Sequence, residues 1–229
     1  MADPNDPTAD TAPLVVLFDL DGTLTDPRPG IVRCMRYALD KLGAACPSGD
    51  VLASYIGPSL RGTFAALLET SDRELVDRAM TFYREQYGVT GLFENEVYDG
   101  IVPLLDHVRV AAASSFVATL KPKTYADRIV RHLGLAPYFA GVYGPDLDER
   151  TDDKVDLLAH LLASERVAPG HAVMIGDRAG DMVAARINGV RSIGALWGYG
   201  SEAELVEAGA ESLCASPSEL AACLARLQS

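Results

Sequence analysis

The sequence predicts an α/β protein: a doubly wound, Rossmann-like parallel sheet with an all-helical insertion after its first strand. Three observations carry this. Short apolar, valine-rich runs recur along the chain, helical periodicity fills the gaps between them, and one stretch near the start breaks the alternation. Continuous apolar runs of four to six residues suit strands buried on both faces of a parallel sheet.

The first run is Leu14-Val15-Val16-Leu17-Phe18. Others are Ser115-Phe116-Val117-Ala118, Gly141-Val142-Tyr143, Ala172-Val173-Met174-Ile175 and Arg191-Ser192-Ile193-Gly194-Ala195-Leu196. Between them, Tyr125, Ile129 and Leu133 fall on one helical face that stops at Gly134. Val155, Leu158 and Leu162 do the same ahead of Pro169-Gly170. The exception runs from residue 30 to about 96. Ile31, Met35, Ala38 and Leu42 form one stripe, Phe64, Leu67 and Leu68 a second, and Leu75, Ala79 and Phe82 a third, with no convincing strand between them. The expected division is therefore a core of residues 14–28 and 97–229, with a helical cap of residues 29–96 inserted in it. Residues 1–13, polar, acidic and containing proline, read as a disordered leader and not as a signal peptide.

Bulk properties narrow the function. With 229 residues and 48% hydrophobic content the chain can bury a substantial core. Its 32 acidic and 20 basic residues give a formal charge of -12. Such a field argues against nucleic acid and anionic membrane as partners. An anionic substrate would need local positive charge from a metal, lysines or helix N-termini. Cys34, Cys46, Cys214 and Cys223 lack metal-ligand spacing and read as small apolar residues in a reducing cytoplasm. The expected oligomeric state is monomer or homodimer.

The chemistry-bearing residues lie where predicted strands end. Asp19-Leu20-Asp21-Gly22-Thr23-Leu24 follows the first, setting two carboxylates two residues apart before a glycine. An ordinary Asp/Gly turn explains the spacing alone nearly as well, but the full D-x-D-G-T-L string after an apolar strand is far more specific. Thr119 ends the second run, and Lys154 opens a helix after the acidic loop 146–153. Met174-Ile175-Gly176-Asp177-Arg178-Ala179-Gly180-Asp181 gives G-D-x-x-x-D after a fourth. Asp181 by itself fits a helix N-cap as well as a metal role. Asp19 and Asp177 both directly follow buried strands, which capping does not explain.

Taken in order, these four segments resemble the motifs of the haloacid dehalogenase-like superfamily of aspartyl-phosphate hydrolases. The resemblance runs from Leu14 to about Gly200. It implies a Mg²⁺-dependent phosphatase acting on a small-molecule phosphate monoester. Asp19 would be the nucleophile, Asp21 the general acid and base, Thr119 a hydrogen-bond donor to the phosphoryl group and Lys154 a positive charge beside it. Mg²⁺ would be held by Asp19, the main-chain carbonyl of Asp21 and Asp177, with Asp181 in a supporting or water-mediated place. Convergent carboxylates agree with this, since each close pair repels by about 1–4 kcal/mol without a cation. An all-oxygen set suits a hard ion. An acid at position 21 points to phosphoester chemistry and away from dehalogenation, whose leaving halide needs no proton.

The insertion corresponds to the small helical cap of one subclass. Its segment Ile56-Gly57-Pro58-Ser59-Leu60-Arg61-Gly62 places Arg61 as a candidate substrate contact, with a plain surface arginine as the even alternative. Lys121 is a second candidate, in Leu120-Lys121-Pro122 where relatives often carry Ser-Lys-Pro. Finer likeness is to the branch called phosphoglycolate phosphatases or 5′-nucleotidases, which leaves phosphoglycolate, nucleotide and sugar phosphate classes open. Trp197 and Tyr199 read as packing residues, and His107, His132, His160 and His171 match no motif position. The competing readings are a phosphomutase of the same superfamily and a catalytically idle binding module.

Overall fold

The computed structural model describes residues 14–112, 114–147 and 153–227. The expected leader, residues 1–13, and most of the acidic loop before Asp153 lie outside them.

The chain enters through β1 (Val15–Phe18), whose four residues are all buried. Their alternation divides the interior. Val16 and Phe18 join one apolar cluster, while Val15 and Leu17 join another on the opposite face. Each face needs its own cover of helices, and both receive it. After β2 (Thr25–Asp26) come α1 (Arg28–Lys41), α2 (Gly49–Ala53), α3 (Leu60–Leu67) and α4 (Arg73–Tyr87). A short 3₁₀ turn, Gly91–Phe93, leads into β3 (Glu96–Val97), which pairs antiparallel with β2. The two ends of the helical stretch are thus tied by one small antiparallel pair of strands, which the sequence did not predict.

The remaining elements alternate as expected: α5 (Ile101–Ala111), β4 (Ser114–Ala118), α6 (Lys123–His132), β5 (Gly141–Tyr143), α7 (Lys154–Glu165), β6 (Ala172–Gly176), α8 (Ala179–Ile187), β7 (Arg191–Ala195), α9 (Glu202–Ala208), β8 (Ser212–Cys214) and α10 (Pro217–Leu227). The larger sheet is six-stranded and parallel, in the order β5-β4-β1-β6-β7-β8. The order reverses around β1, the central strand, which is where open α/β sheets bind ligands. Register makes this concrete: Phe18 pairs with Val117 on one side and Ile175 on the other. Asp19, Thr119 and Asp177, which come just past the ends of β1, β4 and β6, therefore leave three neighbouring strands at one edge.

Helix boundaries follow local chemistry. Ser48, Ser59, Asp72 and Asp153 accept N-terminal amides of α2, α3, α4 and α7. The stripes within the helices differ from the sequence reading by a residue. α4 buries Val76, Ala79, Met80, Tyr83 and Tyr87, leaving Leu75 and Phe82 half-buried. α6 likewise buries Ala126, Ile129 and Val130, with Tyr125 half-buried. Two adjacent apolar rows lie within one turn of each other, and docking decides which faces inward. Among the described residues, no helix is long and apolar enough to cross a membrane.

All four cysteines are free, and Cys34, Cys214 and Cys223 are buried as small apolar residues would be, while Cys46 is exposed. The Cys214 and Cys223 sulfurs lie 3.1 Å apart. They lie nine positions apart in sequence, and the turn between β8 and α10 brings them together.

Candidate active site

Asp19, Asp21, Thr119, Lys154, Asp177 and Asp181 are all less than a tenth exposed. One carboxylate oxygen from each of Asp19, Asp177 and Asp181 falls within 4.8 Å of the others. Ion pairs partly hold this cluster. Lys154, at the first position of α7, sets its Nζ 2.9 Å from Asp19 Oδ1 and 2.8 Å from Asp181 Oδ1. Burial works to lower the pKa of Lys154, but Asp181 and Asp19 outweigh it and raise the value.

The Asp19–Asp26 segment is a tight turn tied to itself. Leu24 N–H and Thr25 N–H both donate to the carbonyl of Leu20, and Gly22 N–H donates to that of Thr25. Gly22 has φ +87, and a Cβ there would come within 2.2 Å of Asp177 Oδ2. Glycine is therefore required twice, for its left-handed backbone and for the approach of the Asp177 carboxylate. Thr23 Oγ1 donates to Asp177 Oδ1 at 3.1 Å and the Tyr199 N–H to Asp177 Oδ2 at 2.8 Å. Trp197 Nε1 donates to the Thr23 carbonyl at 2.9 Å. Trp197 and Tyr199, which the sequence presents as packing residues, thus also brace the turn and the carboxylate. Their position just past β7, one strand from β6, is the signal that could have revealed this.

Asp181 is not the N-cap of α8 but its third residue, and its two oxygens face different partners. Its Oδ2 accepts the Arg178 N–H at 3.1 Å, capping α8, while Oδ1 faces Lys154. Thr119 Oγ1 accepts the Lys121 N–H at 3.2 Å, leaving its own hydrogen free to donate into the site. Lys121 itself lies inside: Nζ is 2.7 Å from Asp21 Oδ2 and 2.6 Å from the Tyr87 hydroxyl. Asp21 Oδ1 is buried with no hydrogen-bond partner. Burial raises the pKa of Asp21, against the lowering influence of Lys121. Arg61 is placed differently, at the start of α3, where its guanidinium pairs with Asp77 at 2.7 Å. It lines the cavity but does not join the acidic cluster.

These side chains open into a cavity of about 380 Å³ between the helical insert and the sheet edge. Met35, Met80, Tyr83, Tyr87 and Tyr125 provide its apolar wall, and Tyr83 and Tyr87 stack with centroids 5.1 Å apart. The volume falls in the range of small-molecule sites.

Whether a cation fits here is decided by the donors. Every available ligand atom is an oxygen, the set a hard divalent ion takes. Asp177 is pushed up to about 8 by burial, then by Asp19 and Asp181. Asp181 is pushed up to about 6 by burial and by Asp19, against the opposing effect of Lys154. A cation would relieve both.

The sign of this strain can be measured. Asp177 holds its proton more tightly folded, near 8, than unfolded, near 3.8. Its contribution thus favours the fold below about pH 4 and is lost as pH rises toward 8. In EDTA, the melting temperature of the protein relative to its Asp177→Asn variant should fall between about pH 5 and pH 8. Added Mg²⁺ should reverse the fall in the parent alone. A difference that grew with pH in EDTA would refute the account.

A family model for haloacid dehalogenase-like hydrolases matches residues 16–195. The chain belongs to that family. A Pseudomonas aeruginosa protein named 5′-nucleotidase is 44% identical over 190 residues, covering 83% of this chain and 86% of its own. A Xanthomonas campestris phosphoglycolate phosphatase is 30% identical, covering 82% and 85%. The tyrosine-protein kinase PtkA of Mycobacterium tuberculosis is 40% identical over 82% of this chain, which spans 64% of that protein. Among solved structures, a predicted phosphatase from Clostridium acetobutylicum superposes with a TM-score of 0.90 at 36% identity, covering 94% of this chain and 99% of its own. The family and the relatives named 5′-nucleotidase and phosphoglycolate phosphatase agree on a hydrolase of the phosphoric monoester class.

Proposed function

We propose that the protein is a Mg²⁺-dependent phosphatase that hydrolyses a small-molecule phosphate monoester through an aspartyl-phosphate on Asp19. The observation that carries this is the shared opening of Asp19, Thr119 and Asp177 at one sheet edge, with Lys154 2.9 Å from Asp19. Residues 29–96 serve as the cap in this reading, and residues 14–28 with 97–229 as the core.

A carboxylate oxygen of Asp19 attacks phosphorus as the bond to the leaving oxygen breaks, and Asp21 gives that oxygen its proton. Burial keeps Asp21 disposed to carry this proton, and its unpartnered Oδ1 has room to deliver it. Asp21 then takes a proton from the water that attacks phosphorus, which releases inorganic phosphate and restores Asp19. The Thr119 hydroxyl donates to the transferring phosphoryl group, and Lys154 offsets its charge. Asp19, Asp177 and the Asp21 carbonyl would hold Mg²⁺, with Asp181 supporting. When bound, the ion neutralises negative charge on the carboxylates and the phosphoryl oxygens. Lys121, against Asp21 and Tyr87, is the nearer of the two candidate substrate contacts. Arg61 reads the leaving group if it leaves Asp77.

The relatives' names leave nucleotides and phosphoglycolate as the first candidates, with sugar phosphates beside them. A panel of these esters and an aryl phosphate, scored for free phosphate with Mg²⁺ and with EDTA, tests the proposal. Metal-dependent release from at least one class is expected. No release from any ester, or label passing to an acceptor without free phosphate, would overturn it.

A further inference from the structure

Arg178 stands between the two acids of the G-D-x-x-x-D segment, and its guanidinium bonds to groups elsewhere in the fold. Nε lies 2.9 Å from Glu204 Oε1 on α9, an oxygen that also accepts the Ala179 N–H. From the same guanidinium, Nη1 donates to the Ile56 carbonyl at 2.7 Å and the Ser54 carbonyl at 3.4 Å. Ser54 is the C-cap of α2, so these carbonyls belong to the helical insert, far along the chain from β2 and β3. Gly57, next in the turn, has φ +108, and a Cβ there would meet Arg178 Cγ at 2.7 Å. Arg178, Ile56 and Gly57 line the same cavity as Asp19 and Asp181.

We propose that Arg178 is a positioning residue that latches the turn at residues 54–57 of the insert onto the Asp177–Asp181 loop, closing the cavity over the nucleophile. The proposal rests on the phosphatase reading only for its kinetic part. A planar guanidinium can grip a carboxylate with one edge and carbonyls with another, which a lysine ammonium cannot do in one geometry. Glu204 fixes the plane, and the absent side chain of Gly57 lets the turn approach it. The main-chain N–H of Arg178 separately holds Asp181, so changing the side chain loosens the latch without removing that support. Closure excludes water and presents the cavity walls to the leaving group.

The test combines hydrogen exchange with kinetics on Arg178→Ala, Arg178→Lys and Glu204→Gln. In Arg178→Ala, amides of residues 51–57 should exchange at least about tenfold faster, as expected for charge-assisted hydrogen bonds lost. Those of β6 should keep the parent rate. With the best ester of the panel, kcat/KM should fall about 10- to 100-fold, mostly through KM. The Mg²⁺ concentration giving half-activation should not move, a result that general loosening of the loop would not give. Arg178→Lys should recover part of both effects, and Glu204→Gln should fall between it and the parent. If Arg178→Ala does not fold, the other two variants decide by the same criteria. Parent-like exchange over 51–57 would overturn the latch, as would equal loosening of β6 or a shifted Mg²⁺ midpoint. The exchange measurement needs no substrate, so it stands apart from the parent's own phosphate release, which tests the phosphatase reading.

Discussion

Asp19→Asn is expected to abolish turnover, lowering kcat by at least about 10⁴-fold, because an amide cannot act as the nucleophile toward phosphorus. The fold should survive. Asp19 leaves β1 at the sheet edge, and its main-chain N–H donates to the Ile175 carbonyl at 2.9 Å whatever the side chain. Lys154 keeps Asp181 as a partner at 2.8 Å. Asp19 is also one of the charges that push Asp177 upward. Removing it relieves repulsion, so the metal-free variant should melt at or above the parent temperature. Phosphate release by the stopped or continuous assay, beside a melting curve in EDTA, reads both halves. Activity within tenfold of the parent would remove Asp19 from the mechanism. A variant that fails to fold would show instead that the residue is chiefly structural.

Lys154→Met should damage both stability and catalysis. The ammonium is the buried counter-charge of Asp19 and Asp181, and all three side chains are less than a tenth exposed. Breaking a buried ionic pair by removing one partner costs about 3–5 kcal/mol, since the charges left behind must stay unpaired or take up protons. That loss should be largest in EDTA and at higher pH, where the carboxylates cannot be neutralised by protonation, and Mg²⁺ should restore part of it. Turnover should fall about 10²- to 10³-fold with the loss of one charge aimed at the phosphoryl group. Combining it with Asp19→Asn should recover some stability, because one of the two stranded carboxylates is then gone. Parent-like melting of Lys154→Met in EDTA would contradict the arrangement.

The legibility of the site follows from topology. Asp19, Thr119 and Asp177 each sit directly after an apolar run, and a parallel sheet brings the ends of such runs to one edge. Local order therefore carried long-range information, even though the residues lie more than fifty positions apart. Lys154 and Asp181 were visible for a similar reason, as residues in the first turns of helices that start at that edge. Arg178 was not legible as a contact, and the place of Trp197 and Tyr199 just past β7 pointed to the site without naming their partners. The partners of the three are main-chain carbonyls of residues 56 and 23 and the carboxylate of Asp177, and no periodicity in a sequence points to a carbonyl. Lys121 could be suspected but its partner could not be named. Arg61 is diverted by Asp77, sixteen residues along on a separate helix.

By itself the sequence determined the alternation of strands and helices, the long helical interruption, and which acids stand at strand ends, because hydrophobic period and strand termination are local properties. It also determined that these acids share one edge, since parallel strands in one sheet leave no other option. Only the tertiary structure decided which face of α4 and α6 turned inward, which cation met which carboxylate, and that Cys214 and Cys223 touch. Those outcomes depend on the docking of whole elements, where a rotation of one residue or a shift of a few ångströms changes every partner while the pattern along the chain stays the same.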